Sequence, residues 1–170
     1  MNGDELRAMQ APLKDRYRAD PAQAVVTLHA SGSLDGEGIA CRVETGRALV
    51  EAGLHPATGG SGLQACSGDM LLEALAACAG VTLRAVATAL NIELRGGEVL
   101  VEGDLDFRGT LGVDREAPVG FQAIRLSFRL DTDADEAALA KLLQLTERYC
   151  VVLQTIATPT KVDATVRAAA

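Results

Sequence analysis

The alternation of apolar and polar residues predicts strands in the first third of the chain. Residues 24–30 (AVVTLHA) and 39–46 (IACRVETG) alternate and contain β-branched residues, and residues 47–53 (RALVEAG) are predicted to be a third strand. The Ser- and Gly-rich stretch 31–38 predicts a turn or loop, so that the first two strands form a hairpin. The Gly-rich segment 54–68 predicts a loop that leads away from the three strands.

A long apolar helix is predicted over residues 69–90, with Ser67 or Asp69 as its N-cap. Its charged residues are Asp69, Glu73 and Arg84, so most of its circumference has to be buried. Because charges interrupt the apolar stretch, we interpret it as the core helix of a soluble domain and expect no membrane partner.

The second half of the chain predicts two strands, 99–107 (VLVEGDLDF) and 121–131 (FQAIRLSFRLD). A second helix is predicted over 134–150, because Asp133 followed by Glu136 resembles a capping box. Its apolar positions recur at helical spacing and share one face: Leu139, Leu142, Leu143, Thr146 and Tyr149 or Cys150.

Residues 161–168 (KVDATVRA) are predicted to form a last strand. The element order is therefore β-β-β-α-β-β-α-β, an α+β fold without an internal repeat. We expect one domain over 24–170 and an N-terminal extension over 1–23, in which residues 4–19 form a short amphipathic helix.

Composition favours an oligomer in the cytoplasm. Aromatic residues make up 3% of the 170 residues and Trp is absent, so small aliphatic side chains build the core, and burial across a subunit interface would help. The net charge of −7 and the lack of a basic run argue against a nucleic-acid partner. The polar N-terminus has no apolar core of a secretory signal.

The four cysteines, Cys41, Cys66, Cys78 and Cys150, are too few and too scattered for a disulfide scaffold. No Cys or His pair has the spacing of a zinc site, and neither a metal nor an organic cofactor is expected. Cys41 is typical of strand packing, and Cys66 lies in the predicted loop, where an exposed spare thiol is expected.

Cys78 lies near the middle of the first helix, with apolar residues around it at helical spacing. Desolvation there raises the pKa of a thiol, so a reactive Cys78 needs a cation from another segment. Cys150 ends the second helix, again on an apolar face. Two amphipathic helices normally pack together, and a thiol pair that attacks and then resolves is the minimum for a dithiol peroxidase. Periodicity leaves open whether the two sulfurs meet.

The stretches CSGDMLLEALAACAGVTLRAVA and ERYCVVLQTIATPTKV, with the strands around them, resemble the OsmC/Ohr superfamily, the osmotically inducible protein C and organic hydroperoxide resistance proteins. The resemblance covers roughly residues 24–168. It implies an intertwined homodimer in which two central helices pack against antiparallel sheets. It also implies that Cys78 attacks the peroxide, that Cys150 resolves it as a disulfide, and that a dithiol or lipoyl-type reductant restores both thiols.

The chain departs from the family pattern at three places, which is typical of a divergent OsmC-like branch. Family peroxidases carry an Arg in the turn between the first two strands; here Arg42 and Arg47 lie just beyond that turn and are the candidate substitutes. Asp69 stands near the position of a family Glu, and Val151 stands where a Pro often follows the second cysteine.

The function expected from the resemblance is reduction of organic hydroperoxides in an oxidative stress response. The apolar surroundings of Cys78 favour peroxides with a tail to bury. An alternative is a protein that binds an apolar ligand in the pocket at the dimer interface without cysteine chemistry. A third possibility is that both cysteines only pack the core.

Overall fold

The computed structural model of the protein describes residues 2–19, 31–33, 40–44, 49–112 and 114–168, and at residues 9, 12–18, 31–33 and 40–44 it describes the backbone alone. In chain order the elements are α1 (Gly3–Ala19), β1 (Ser31–Ser33), β2 (Ala40–Glu44), β3 (Leu49–Gly53), a 3-10 turn (Pro56–Thr58), β4 (Ala65–Cys66), α2 (Ser67–Ala89), β5 (Gly96–Asp104), α3 (Phe107–Thr110), β6 (Ala123–Asp131), α4 (Glu136–Tyr149) and α5 (Val151–Ala157).

The strands form two separate sheets in the part of the chain that the structure describes. The first has the order β1-β2-β3-β4, in which the pairs up to β3 are antiparallel and β4 lies parallel to β3. The second is the antiparallel pair β5–β6, in register from Gly96 opposite Asp131 to Asp104 opposite Ala123. This fits the predicted α+β class.

Two of the strands predicted in the first third of the chain are confirmed. β2 and β3 lie within the predicted segments 39–46 and 47–53, whereas the strand predicted over 24–30 lies outside the described residues. The prediction of a loop over 31–38 was wrong at its start, because residues 31–33 form strand β1, which pairs with β2. Pairing with a neighbouring strand outweighs the turn preference of Ser and Gly there.

β5 and β6 place their apolar side chains on one face, as their alternation predicts. Val99, Val101, Ile124, Leu126 and Phe128 are partly buried and pack against the helical layer. The alternate positions are exposed, and two arginines among them form ion pairs with glutamates across the hairpin. One side of the hairpin therefore supports α2, and the other faces solvent.

α2 is the central helix of the domain, as predicted, and begins two residues earlier than the predicted range. Its buried side consists of Leu75, Ala79, Leu83, Val86 and Ala87 and packs on β5, α4 and α5. The N-cap prediction was wrong: Cys66 occupies that position, without a side-chain hydrogen bond to the helix. Among the described residues, α2 is the helix whose length and composition would suffice to cross a membrane, but here it packs as a core helix.

The second predicted helix is also confirmed, with a different cap. Asp135 caps α4 by accepting a hydrogen bond of 2.8 Å from the N–H of Ala138. The capping box predicted at Asp133 does not form, because the Asp133 carboxylate instead pairs with Arg95 at 2.6 Å. α4 ends at Cys150, whose extended backbone separates it from α5, a short helix that the sequence pattern did not predict.

The two ends of the chain differ in how they match expectation. The predicted N-terminal helix is confirmed as α1, whose Leu6 is buried and which packs on α2. The prediction of a last strand over 161–168 was wrong for the single chain, because these residues are exposed and form no strand. A strand needs hydrogen bonds to a neighbour, and none of the described strands pairs with this segment.

Replacing Leu142 by Ala is expected to lower the free energy of unfolding by about 2–5 kcal/mol. Leu142 is 1% exposed and joins α4 to the buried side of α2, so the substitution leaves a cavity at this contact. Leu143→Ala, at a position that is 43% exposed, is the matched control and should lose about 1 kcal/mol or less. Chemical denaturation followed by circular dichroism measures both, and equal losses would contradict this packing.

Candidate active site

The structure brings Cys78 and Cys150 together. Cys78 lies halfway along α2, and Cys150 lies at the joint between α4 and α5. Because α2 packs on both of these helices, Cys78 packs against the buried cluster that contains Cys150, and both thiols are free. The two cysteines therefore meet where the helices pack.

The two thiols differ in access. Cys150 is completely buried, in one cluster with Leu75 and Ala79 of α2. Cys78 is only partly buried at the edge of the same cluster. A small molecule from solvent can thus reach Cys78 but not Cys150 unless the structure opens.

The surroundings of Cys78 favour its anionic form. Burial raises the pKa of the thiol, but hydrogen bonds to the sulfur outweigh this and bring the pKa below its ordinary value. In order of effect, the donors are the N–H of Val152, the thiol of Cys150, the N–H of Val151 and the hydroxyl of Thr82.

The pKa of the Cys150 thiol is shifted in the opposite direction, above its ordinary value. Burial is the largest cause that raises the pKa of its thiol, and the hydrogen bond to Cys78 and the charge of that sulfur add to it. Hydrogen bonds from the N–H groups of Leu153 and Val152 lower the pKa of Cys150, but by less than burial and Cys78 raise it. Of the two thiols, Cys78 is therefore the one that ionises more readily, and Cys150 is the one that keeps its proton to higher pH.

The described groups lower the pKa of Cys78 without a cation among them. Desolvation alone was expected to raise the pKa of Cys78 unless another segment supplied a cation. Among the described residues, the groups that lower the pKa are uncharged. Thr82, one turn after Cys78, could have been recognised from its spacing. The N–H groups of Val151 and Val152 could not, because they reach the sulfur only when α5 packs on α2.

Of the predicted supporting residues, the structure describes the side chain of Asp69 alone. Asp69 is exposed in the first turn of α2, and Cys78 lies nine positions further along, roughly 13 Å away along the helix axis. The backbone of Arg42 lies in β2 opposite Ser33 and Glu51, but its side chain and all of Arg47 lie outside the described residues. Their supporting role stays a prediction.

Cys66 occupies a different place from the thiol pair. It lines a cavity of about 360 Å³ at the start of α2, together with His55, Asp69 and Phe107. The His55 ring stacks on Phe107 at 4.7 Å, and its Nδ1 accepts a hydrogen bond from the N–H of Ala57, as expected for a structural histidine. No group of His, Cys, Asp and Glu in the described part of the chain is arranged to hold a metal ion.

One face of α2 is apolar and exposed. We call it the α2 stripe; it consists of Leu71, Ala74, Ala77, Val81 and Ala85. Val81 is 72% exposed and Leu71 is 40% exposed. At about 100° per residue, Cys78 lies on the border between this stripe and the buried side of the helix. Whatever covers the stripe therefore also forms a wall beside Cys78.

Comparison with known proteins identifies the fold. The structure resembles an OsmC-like protein from Mycoplasma pneumoniae, with a TM-score of 0.64 and 17% identity over 78% of this chain and 88% of that chain. An organic hydroperoxide resistance protein from Legionella pneumophila has a TM-score of 0.60 and 18% identity, over 78% of this chain and 90% of that chain. An OsmC-like protein of unknown function from Vibrio cholerae has a TM-score of 0.62 and 12% identity, over 77% of this chain and 94% of that chain.

No curated protein matches the sequence. At the identities above, the solved structures show a shared fold rather than a shared activity. The family model described as OsmC-like protein matches residues 60–165, a span that contains α2, the β5–β6 hairpin, α4, α5 and both cysteines of the pair. Since this is more than half of the chain, the protein belongs to the OsmC-like family.

Proposed function

We propose that the protein is a thiol peroxidase that reduces organic hydroperoxides through Cys78 and Cys150, in an oxidative stress response. The observation that carries the proposal is the contrast between two cysteines that pack in one cluster. Cys78 is the accessible thiol with the lowered pKa, and Cys150 is the buried thiol with the raised pKa. A nucleophile and a resolving thiol need this difference, because the thiolate attacks.

The proposed cycle has three steps. The thiolate of Cys78 attacks the terminal peroxide oxygen, the O–O bond breaks, and the products are a sulfenic acid on Cys78 and an alkoxide that takes a proton to become the alcohol. The thiol of Cys150 then attacks the sulfur of Cys78, which forms a disulfide and releases water. A dithiol, such as a lipoyl group, finally reduces the disulfide by exchange and is itself oxidised to a cyclic disulfide.

A homodimer formed through the α2 stripe is part of the proposal. A second copy on this stripe would remove Leu71 and Val81 from water and complete an apolar pocket beside Cys78. Such a pocket favours an alkyl or aryl hydroperoxide over hydrogen peroxide, because only the former has a tail to bury. The name of the Legionella protein, an organic hydroperoxide resistance protein, supports this substrate class. A cytoplasmic location fits the free thiols.

The test is a count of free thiols before and after one equivalent of cumene hydroperoxide, without added reductant. The wild-type chain is expected to lose two thiols and to form a disulfide between the peptides that contain Cys78 and Cys150. Cys78→Ser should lose none, and Cys66→Ser should lose two like the wild type, since Cys66 lies apart from the pair. Unchanged thiols in the wild type would refute the proposal.

A second candidate function is binding of an apolar ligand without cysteine chemistry. A cavity of about 390 Å³ between β6, α4 and α2 favours it, since its lining is apolar apart from Ser127: Leu83, Leu126, Phe128, Leu130, Leu139, Leu142 and Leu143. Native mass spectrometry that finds a co-purified lipid on a protein with intact, peroxide-resistant thiols would select this function over the peroxidase.

A further inference from the structure

Gln154 forms two hydrogen bonds at the joint between α4 and α5. Its main-chain N–H donates to the carbonyl oxygen of Cys150 at 2.9 Å, and its side-chain Nε2 donates to the carbonyl oxygen of Glu147, also at 2.9 Å. Cys150 lies between these two contacts, because it follows α4 and precedes α5. Gln154 therefore connects α5 both to Cys150 and to the last turn of α4.

The side-chain hydrogen bond satisfies a carbonyl group that lacks a helical partner. The last carbonyl groups of a helix have no N–H donor within that helix. In α4, the carbonyl of Thr146 accepts from the N–H of Cys150 at 2.9 Å, and that of Glu147 accepts from Gln154. Gln144, another exposed glutamine, bonds instead to a lysine of its own helix. The Gln154 amide is thus a link between two helices.

The helix that this link holds has weak attachments otherwise. α5 is seven residues long, which is too short for a helix to be stable by itself. Cys150 occupies its N-cap without a side-chain hydrogen bond, and α5 contains no buried residue. Val152, Leu153 and Ile156 are partly buried where they pack on the cluster around Cys150. One hydrogen bond to α4 therefore makes a large relative contribution to the placement of α5.

The position of Cys150 depends on the angle at this joint. Its backbone is extended, with φ −73° and ψ 105°, between two helical segments. Its side chain is completely buried, in one cluster with Leu75 and Ala79 of α2. A change in the angle between α4 and α5 would move the Cys150 thiol relative to Cys78, and small displacements of a reacting group lower its rate of reaction strongly.

We propose that Gln154 is a positioning residue for Cys150: its side-chain amide fixes α5 to the end of α4 and so holds the Cys150 thiol in place to attack the sulfur of Cys78. This deepens the proposed function and rests on it for the step that the thiol performs. Gln154 acts through the joint, so its loss slows closure of the disulfide and leaves the first attack by Cys78 unchanged.

Three variants test the proposal. Gln154→Met removes the amide and keeps the side-chain length and a similar helix propensity. Gln154→Lys supplies another hydrogen-bond donor, with a charge that is favourable near the carboxyl end of α4. Thr155→Val is the matched control, because the hydroxyl of Thr155 donates to the carbonyl oxygen of Val151 at 2.8 Å within α5, and its loss removes a hydrogen bond that does not cross the joint.

The measurement is stopped-flow reaction with 2,2′-dithiodipyridine. In a reference chain that carries Cys41→Ser and Cys66→Ser, Cys78 and Cys150 are the cysteines that remain. The thiolate of Cys78 attacks the reagent, which forms a mixed disulfide and releases one pyridine-2-thione. Cys150 then attacks the Cys78 sulfur, which forms the protein disulfide and releases a second thione that takes up the thiol proton. The first phase depends on reagent concentration and the second does not.

In the reference background, Gln154→Met is expected to slow the second phase by about fivefold, the effect of losing one hydrogen bond, and to leave the first phase unchanged. Gln154→Lys and Thr155→Val should follow the reference chain in both phases. An unchanged second phase in Gln154→Met would overturn the proposal, as would equal slowing in Thr155→Val or no recovery in Gln154→Lys. A first phase slowed by the same factor would also overturn it, because that result reports altered access to Cys78.

The reagent replaces the peroxide, so this result is independent of the thiol count that tests the proposed function. A reference chain without a second phase would overturn the positioning role, since Cys150 would then not be held for the attack. A protein that closes its disulfide with 2,2′-dithiodipyridine but keeps its thiols in cumene hydroperoxide would refute the peroxidase alone.

Discussion

Cys150→Ser is expected to abolish sustained peroxide reduction while leaving the first turnover intact. Cys78 would still attack the peroxide, but no thiol would lie beside the resulting sulfenic acid in the buried cluster with Leu75 and Ala79. The sulfenic acid would then persist, and a second peroxide molecule would oxidise it irreversibly to the sulfinic acid. With a lipoyl dithiol as reductant, we expect the steady-state rate to fall by at least about 100-fold.

The first turnover and its product can be measured separately. After one equivalent of cumene hydroperoxide, Cys150→Ser should lose one thiol, and dimedone should label Cys78. The wild type should resist dimedone because its sulfur is already in a disulfide. Cys66→Ser is the matched control for removal of a cysteine and should turn over like the wild type. Sustained turnover by Cys150→Ser at the wild-type rate would show that Cys150 has no resolving role.

Val81→Asp is expected to dissociate the proposed homodimer. Val81 is the most exposed large residue of the α2 stripe, at 72%. A second copy on this stripe would place the new carboxylate in an apolar interface, where an unpaired charge is costly. We expect the dimer to be weakened by at least about 100-fold, which corresponds to about 2.7 kcal/mol. Sedimentation velocity over a range of concentrations measures the change.

Leu63→Asp is the control for this experiment. Leu63 is 92% exposed and lies in the loop before β4, outside the α2 stripe, so the same charge there should leave the dimer intact. Circular dichroism should show that both variants keep their helices. A wild-type dimer that survives Val81→Asp would exclude the α2 stripe as the interface.

Local patterns in the sequence predicted the elements that frame the candidate site. The charge-poor segment 69–90 and the helical spacing around Leu142 were sufficient to predict α2 and α4, because burial dictates both patterns. The alternation in 121–131 predicted β6 for the same reason. Even the meeting of two helices that each carry a cysteine followed from amphipathicity, although the contact between the sulfurs did not.

The sequence could not predict the features that depend on packing between distant segments. The break at Cys150 has no Gly or Pro to mark it, and α5 is too short to show a period. The cap of α4 shifted to Asp135 because Arg95, which directly precedes β5, binds Asp133. The strand predicted over 161–168 has no partner strand among the described residues.

The position of Cys150 at the joint of two helices has a consequence for the stability of the chain during the proposed cycle. Cys78 and Cys150 are 72 positions apart, so the disulfide would close a loop that contains β5, β6 and α4. Closing a loop of this length restricts the unfolded chain and stabilises the folded one by about 4 kcal/mol. The oxidised protein would thus resist unfolding better than the reduced protein, and each reduction would release that restraint.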